Sequence, residues 1–283
     1  MSTIIKKVII LLLLFMSSSV CAGSIVIGDA AFNIPSPPGF AAVTPEMESV
    51  YEFQKQFVHP ASEQFLAFIP ESEIGAALNN KIPDLERTFS VQTAKKLINI
   101  GTSTATFVKL KESIKLENEN TFKKAEEKLP GLMEKINKGI EESFLVNSDL
   151  SVSQAIPLPP HYETDRILSY SAFVKYGAKD ASGNPFSYVS VSTVTFIHLK
   201  NKVLFLYSFA KEDDLEWSRN ISKQWANSIV EQNPEGFRSS VKESLPHSVA
   251  GIDWGEVVGK GIAGGLVAIL VGLVTWAARK KSS

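Results

Sequence analysis

The four histidines are the first residues to consider for chemistry, because an imidazole ring can act as a general base or bind a metal ion. They are His59, His161, His198 and His247. No two of them lie within four residues of each other, so the helical histidine pair of many zinc enzymes is absent. His198 falls in a predicted strand near a hairpin, where a neighbouring carboxylate would favour an enzyme. Their spacing otherwise predicts ordinary surface or half-buried side chains and no metal site.

The sequence contains no recognisable nucleophile motif. Gly-x-Ser-x-Gly, a Walker loop and a dinucleotide fingerprint are all missing. Ser171 and Lys175 are too common a pair to indicate a serine–lysine catalyst. Cys21 is the only cysteine and lies in a segment that we expect to be removed, which excludes thiol catalysis and thiolate metal ligands in the mature chain. We therefore predict no catalytic residue and no cofactor.

Two charge clusters have plain structural interpretations. The acidic run 212–214 offers ligands for a cation, but two aspartates in front of an apolar stripe are typical of a helix N-terminus. Glu163, Asp165 and Arg166 fit a solvated cluster at a strand edge. A glycosylation acceptor pattern at 220–222 falls within the same predicted helix, and we discount it.

The N-terminus has the composition of a secretory signal. Lys6 and Lys7 precede an apolar stretch at 8–16, and small residues follow up to Ala22. This stretch is much shorter than the roughly 20 residues of a membrane-spanning helix. We predict cleavage after Ala22. An uncleaved N-terminal anchor and a lipoprotein modified at Cys21 are the alternatives.

The C-terminus has the composition of a membrane anchor. Residues 261–278 carry no charge and would rise about 27 Å as a helix, close to the hydrocarbon thickness, and a start at Val257 gives a comfortable span. Arg279, Lys280 and Lys281 follow at once, and the positive-inside rule places them in the cytoplasm. We thus predict a single-pass protein of the bacterial inner membrane whose large domain is periplasmic.

Small residues recur at helical spacing along this span. They are Gly261, Gly264, Gly265, Ala268 and Gly272. Such spacing lets two helix backbones approach closely, so the span could associate with itself or with the helix of another envelope protein. The alternative is that glycine is simply common in membrane helices.

The charge of the exported part argues against nucleic acid as a partner. Residues 23–255 contain 29 acidic and 23 basic side chains, a net charge near −6. A nucleic-acid-binding domain would be basic. The same charge argues against tight adhesion to anionic lipid headgroups.

The first part of this domain mixes short strands with a helix. Strands are predicted at 24–27, 31–34 and 64–69, with a weaker one at 87–97, and residues 35–40 form a rigid turn. A helix is expected to begin at Thr44 as N-cap with Pro45 in its first turn, and to bury Val50, Phe53 and Phe57. Residues 104–147 are charged and helical in pattern. They are interrupted at Pro130–Gly131, and they fit either a solvated cover over the core or a partner-binding coiled coil.

The second part is an antiparallel meander followed by a helix. Strands are predicted at 154–157, 164–175, 186–199 and 202–210, with a tight turn at Lys200–Asn201. A closing helix from Asp213 carries Trp217, Ile221, Trp225 and Ile229 on one face. That face is expected to pack on the sheet, with a ligand pocket lined by the tryptophans as the alternative.

This closing unit resembles a known family. A Pro-Gly-Phe turn after an opening strand is followed far downstream by the Lys200–Asn201–Lys202 hairpin, the strand 203–207, and a helix with Trp217 and Trp225 that ends at Asn233. The pattern is similar to PsbP/Mog1-like domains. The resemblance implies an α/β/α sandwich, an antiparallel sheet flanked by helices, with binding or assembly roles. The helical segment 104–147 departs from the compact layout of that family.

These observations predict a signal peptide at 1–22, an exported α+β domain at 23–233, a linker at 234–256, a transmembrane helix at 257–278 and a cytoplasmic tail at 279–283. The expected function is non-enzymatic binding or scaffolding in the cell envelope. The alternatives are an envelope hydrolase with a dispersed active site, or a small-ligand carrier or sensor.

Overall fold

More residues lie in strands than in helices. The computed structural model describes residues 21–81, 83–126, 130–131, 133–135, 137–138, 150–179 and 184–234. The strands are β1 (Cys21–Ile27), β2 (Ala30–Pro35), β3 (Phe40–Ala42), β4 (Ser62–Pro70), β5 (Thr88–Ala94), β6 (Ser151–Pro157), β7 (Tyr162–Glu163), β8 (Ile167–Lys179), β9 (Pro185–Leu199) and β10 (Lys202–Lys211). The helices are α1 (Glu48–Lys55), α2 (Ile74–Leu78), α3 (Thr104–Glu126) and α4 (Leu215–Gln232).

Eight of these strands form one sheet in the order β3-β4-β5-β10-β9-β8-β6, with the short β7 paired to β8. Every pairing in the sheet is antiparallel. The predicted α+β class with an antiparallel sheet is therefore confirmed. The predicted meander is also confirmed, since β8, β9 and β10 are consecutive neighbours in the sheet.

The β9–β10 hairpin turns at the two residues that the sequence indicates. Lys200 and Asn201 both have positive φ angles, 49° and 60°. This is the backbone of the tight turn whose twist matches that of the two strands it joins. The turn fixes the register of β9 against β10, which pairs Lys202 with Leu199.

Each face of the sheet is covered by a different layer. One face packs against α4 and the β1–β2 hairpin, and the other packs against α1 and α3. Large buried side chains of the first layer are Phe32, Phe68, Phe89, Leu206, Trp225 and Ile229. Those of the second are Phe53, Phe57, Phe107, Tyr170, Phe196 and Tyr207.

The β1–β2 hairpin is a separate two-stranded sheet, and α4 holds it in place. The indole Nε1–H of Trp225 donates to the carbonyl oxygen of Pro35 at 2.7 Å. The Asn233 carboxamide accepts from the amide of Asn33 at 2.9 Å and donates to its carbonyl oxygen at 2.7 Å. These bonds satisfy backbone groups of β2 that have no strand partner on that side.

The tip of this hairpin approaches the chain after β5 very closely. Gly28 has a φ of +62°, and a Cβ added to it would overlap the carbonyl oxygen of Ile98. Lys202 is buried beside it, with its Nζ 3.0 Å from that same oxygen and 3.1 Å from a carboxylate oxygen of Asp29. Glycine is therefore required here both by the backbone angle and by the lack of space.

The first two predicted helical segments agree with the structure in part. The first begins at Glu48, not at Thr44, because a turn intervenes in which the amide of Met47 donates to the carbonyl of Thr44 at 3.0 Å. Val50 and Phe53 are buried on its inner face, as predicted. In α3 the side chains of Phe107, Leu110 and Ile114 are buried, which confirms a cover over the core for its first turns. The predicted break at Pro130–Gly131 adjoins residues 127–129, which lie outside the described residues.

The closing helix packs as expected but begins differently. Ile221, Trp225 and Ile229 are buried against the sheet and Trp217 packs against the same cluster. Asp214 occupies the N-cap position without making a side-chain cap hydrogen bond. The predicted capping role of the acidic run is therefore wrong for Asp214, whose carboxylate is engaged elsewhere.

The two predicted membrane-directed segments fall mostly outside the structure. Residues 1–20 and 235–283, and with them Gly261, Gly264, Gly265, Ala268, Gly272, Arg279, Lys280 and Lys281, are not among the described residues. Within the described ranges, no helix is both long and apolar enough to cross a bilayer. The signal peptide, the linker and the anchor stay predictions.

Candidate functional site

A charged cleft lies at one end of the sheet. It forms where β4 and β10 end and β5 begins, and because these three strands are antiparallel neighbours, those ends meet at one side. The cavity has a volume of about 430 Å³. Its lining residues are Pro70, Ser72, Glu73, Asp84, Glu86, Arg87, Lys211, Asp213 and Asp214.

Arg87 lines the cleft and is held in place by a carboxylate and an aromatic ring. Arg87 donates from Nε and from one terminal nitrogen to the two carboxylate oxygens of Asp214, at 2.9 and 2.7 Å. Its guanidinium carbon lies 4.4 Å from the ring centre of Trp217, which itself packs on Phe89. The hydrogen bonds to Asp214 raise the pKa of Arg87. A guanidinium fixed by a two-point ion pair and an aromatic ring presents its remaining N–H groups in a defined direction.

Two other carboxylates of the lining accept hydrogen bonds from backbone amides. Glu73 accepts a hydrogen bond from the amide of Asp84 at 2.7 Å, and Asp84 accepts from the amide of Glu86 at 3.1 Å. Glu86 also pairs with Lys211 at 2.5 Å. The loop before β5 is thus shaped by its own acidic side chains. Five carboxylates face two cations in the lining, so the cleft carries an excess of negative charge.

The acidic residues of the cleft contribute to a raised pKa of the half-buried Tyr188. The pKa of Tyr188 is raised to about 12, first by burial and then by the negative charges of Glu86, Asp214 and Asp84. Phenolate formation is disfavoured wherever the local potential is negative. Tyr188 therefore stays a neutral hydrogen-bonding group at physiological pH.

The lining contains few groups besides its charged side chains. Among the described residues of the lining, Ser72 is the only one with a hydroxyl, and none is a histidine. In the part of the chain that the structure describes, no group of three or more His, Cys, Asp or Glu side chains is arranged to hold a metal ion. Of the acidic run, Asp213 and Asp214 line the cleft, and Asp214 pairs with Arg87.

The histidines that the sequence singled out lie elsewhere. His198 is buried, with Nε2 2.6 Å from the carbonyl oxygen of Thr102 and its ring stacked on Phe107. His59 accepts a hydrogen bond from the amide of Ala61 at 3.0 Å. His247 lies outside the described residues.

The other candidates for chemistry are structural. Ser171 is buried and shares a hydrogen bond of 2.9 Å with Thr193, whereas Lys175 is exposed. Glu163 pairs with Lys111 at 3.0 Å and Lys115 at 3.2 Å, both from α3, which fits the predicted strand-edge cluster in kind. The hydrogen bond from Lys111 lowers the pKa of Glu163. Ser222 is buried, which agrees with the rejection of the glycosylation pattern.

Sequence reasoning missed the cleft because its walls come from three distant segments. Only residues 212–214 drew attention, and they were interpreted as a helix start. A usable signal exists in retrospect, since acidic residues also follow Pro70 and precede Thr88 at the ends of the neighbouring strands.

Comparison with known proteins does not assign the chain to a family. No protein-family model matches the chain, and no curated protein sequence matches it.

Proposed function

We propose that this protein is a membrane-anchored, exported binding domain of the bacterial cell envelope, with a non-enzymatic scaffolding role. The observation that carries the proposal is the charged cleft, in which five carboxylates outnumber two cations. Because Glu73, Asp84 and Asp214 are fixed by hydrogen bonds, the negative surface is preorganised for a partner. Charge complementarity favours a partner segment rich in lysine or arginine.

The location rests on the two apolar segments. A signal at residues 1–22 would export the domain, and a helix at residues 257–278 would keep it on the membrane. The small residues of that helix, Gly261, Gly265 and Gly272 among them, offer a second surface for an envelope partner or a second copy. The last described part of α4 leads directly into the predicted linker, so the cleft would be held at a distance set by that linker.

The finer fold assignment belongs to the same proposal. An antiparallel sheet with α4 on one face and α1 and α3 on the other is compatible with the α/β/α sandwich of PsbP/Mog1-like domains. Trp225 and Asn233 belong to the sequence pattern on which the resemblance rests, and both attach the closing helix to the opening hairpin. The resemblance implies binding or assembly roles, and the cleft is the site proposed for such a role.

Neither alternative function draws support from the described residues. A hydrolase would need an accessible nucleophile beside a base, and the Ser169–His161 pair, 3.2 Å apart, has a serine with no exposed surface. A carrier would need an apolar cavity, whereas the cleft is lined almost entirely by charged side chains.

Site-specific crosslinking in intact cells tests the role of the cleft. A photoreactive amino acid at position 72 is expected to capture a discrete partner. Asp213→Lys should reduce that product at least fivefold, because it inverts a charge of the lining while leaving the Arg87–Asp214 pair in place. The matched control is Glu231→Lys, which makes the same charge change in the last turn of α4. Equal capture by all three proteins would contradict the proposal.

Membrane attachment has its own test. We expect the full-length protein to stay with the membrane fraction after alkaline carbonate extraction, because the apolar residues at 261–278 would be buried in lipid. A form that ends at Pro234 should be recovered in the soluble fraction. Recovery of the full-length protein in the soluble fraction without detergent would refute the anchor.

A further inference from the structure

One short segment connects the two layers that cover the sheet. We call residues 158–166 the strap. On one side, the hydroxyl of Tyr162 donates to the side-chain oxygen of Asn227 in α4 at 2.8 Å. On the other side, the Nζ of Lys111 in α3 donates to the carbonyl oxygen of Thr164 at 2.7 Å. The strap therefore passes around the sheet and contacts a helix on each face.

Few backbone hydrogen bonds hold the strap to the sheet. Its strand β7 has only two residues, which pair with Ser169 and Leu168. Three further bonds attach its ends and centre: Leu158 N to Ser171 O, His161 N to Ser169 O, and His198 N to Arg166 O, at 2.8, 3.0 and 2.9 Å. A segment with so few ladder bonds depends on its side-chain contacts to stay in place.

His161 makes the central side-chain contact of the strap. Its Nε2 lies 3.2 Å from the hydroxyl of Ser169, which in turn lies 2.8 Å from the hydroxyl of Thr195. Ser169 and Thr195 are fully buried. The Nδ1 atom of His161 is also buried, and it has no hydrogen-bond partner among the described residues. The hydrogen-bonding contact of the ring is a neutral hydroxyl, so the site accommodates it as a neutral imidazole.

Of the neighbouring charges, that of Arg219 in α4 acts on His161. From α4 come Arg219, whose carboxylate partner is the exposed Glu216 at 3.3 Å, and Lys223, whose Nζ lies 4.9 Å from the ring centre of Tyr162. β8 and β9 contribute the hydroxyls of Ser169 and Thr195. The acidic residue next along the strap, Glu163, is bound by Lys111 and Lys115 of α3, and Asp165 and Arg166 complete the charges on the strap itself.

We propose that His161 makes the strap an acid-sensitive connection between the two layers, and that protonation of its ring releases the strap from α4. A positive ring at this position would be half-buried, with a buried Nδ1 that has no hydrogen-bond partner among the described residues, and it would be repelled by the charge of Arg219. Release places the ring in water, which removes both the desolvation of the charged ring and its repulsion by Arg219. Opening of the strap would expose the polar side of α4 that Tyr162 now covers.

The direction of the pH dependence follows from proton linkage. Burial, followed by the charge of Arg219, lowers the pKa of His161 from its ordinary value of 6.5 to about 4. The open strap therefore binds a proton more readily than the closed strap. The closed form is fully favoured above pH 6.5, weakens as the pH falls below that value, and loses no more once the pH passes below about 4. At pH 5 the opening equilibrium should be on the order of tenfold more favourable than at pH 7.

Hydrogen exchange on the full-length protein tests this proposal. Protection factors of the amides of Leu158, His161 and Thr164 should fall about tenfold between pH 7 and pH 5, after correction for intrinsic exchange, while those in β9 stay constant. His161→Gln keeps a neutral hydrogen-bonding side chain and should remove the pH dependence. His59→Gln, at another half-buried histidine, should retain it.

Either of two results would overturn the proposal. One is equal protection of the strap at both pH values in the wild-type protein. The other is an unchanged pH dependence in His161→Gln. Since that variant could fold poorly, an NMR titration of the wild-type imidazole gives a second criterion. A His161 ring that titrates near pH 6.5 while the strap amides stay protected would also refute the mechanism.

Discussion

Replacement of Trp225 by alanine is expected to lower the free energy of unfolding by about 4 kcal/mol. The indole is almost completely buried, and its ring packs edge-on against Phe68 and Phe89, each at 5.4 Å between ring centres. Alanine would leave a large cavity between α4 and the sheet. It would also leave the carbonyl oxygen of Pro35 without its donor.

Urea unfolding followed by far-ultraviolet circular dichroism measures this effect. Trp217→Ala is the matched control, because Trp217 lies on the same helix and contacts the same Phe89 but is only partly buried. We expect it to cost about 2 kcal/mol. A loss below about 1 kcal/mol for Trp225→Ala would mean that the helix does not pack as described.

Replacement of Gly28 by alanine is expected to cost about 3 kcal/mol. Two effects add here: a φ of +62° disfavours any side chain, and the new Cβ would overlap the carbonyl oxygen of Ile98. Backbone atoms cannot move away as a flexible side chain can, so the hairpin tip would have to shift. That shift would disturb the contacts of Lys202.

Gly39 provides a close control for this prediction. Its φ is +79°, but nothing lies within 4 Å of the position of an added Cβ. Gly39→Ala should therefore show the conformational cost alone, about 1 kcal/mol. Equal losses in the two variants, measured by urea unfolding, would show that the overlap at Gly28 is relieved without cost.

Local patterns predicted the parts of the fold that depend on neighbours in sequence. The β9–β10 hairpin followed from a turn dipeptide between two β-rich runs, and the inner face of α4 followed from apolar residues four apart. β5 was harder to recognise because all seven of its residues are buried. A strand covered on both faces loses the alternation that identifies a strand with one face in water.

Long-range contacts account for what the sequence could not show. β5 pairs with β10, more than a hundred residues away, and no local pattern indicates that pairing. The Arg87–Asp214 pair spans 127 positions, and it engages the carboxylate that the sequence places at the N-cap of α4. The sequence showed the strap only as a histidine and three charged residues before a strand, because the helices that it contacts are not adjacent to it in sequence.

The attachment of the closing helix to the first hairpin bears on the order of folding. Trp225 and Pro35 are 190 residues apart, and Asn233 and Asn33 are 200 apart. Contacts of such high sequence separation slow folding, because a long loop must close before they form. A chain synthesised from its N-terminus cannot fix β1 and β2 in place until α4 has emerged. The opening hairpin, apolar on one side, would then need a chaperone during that interval.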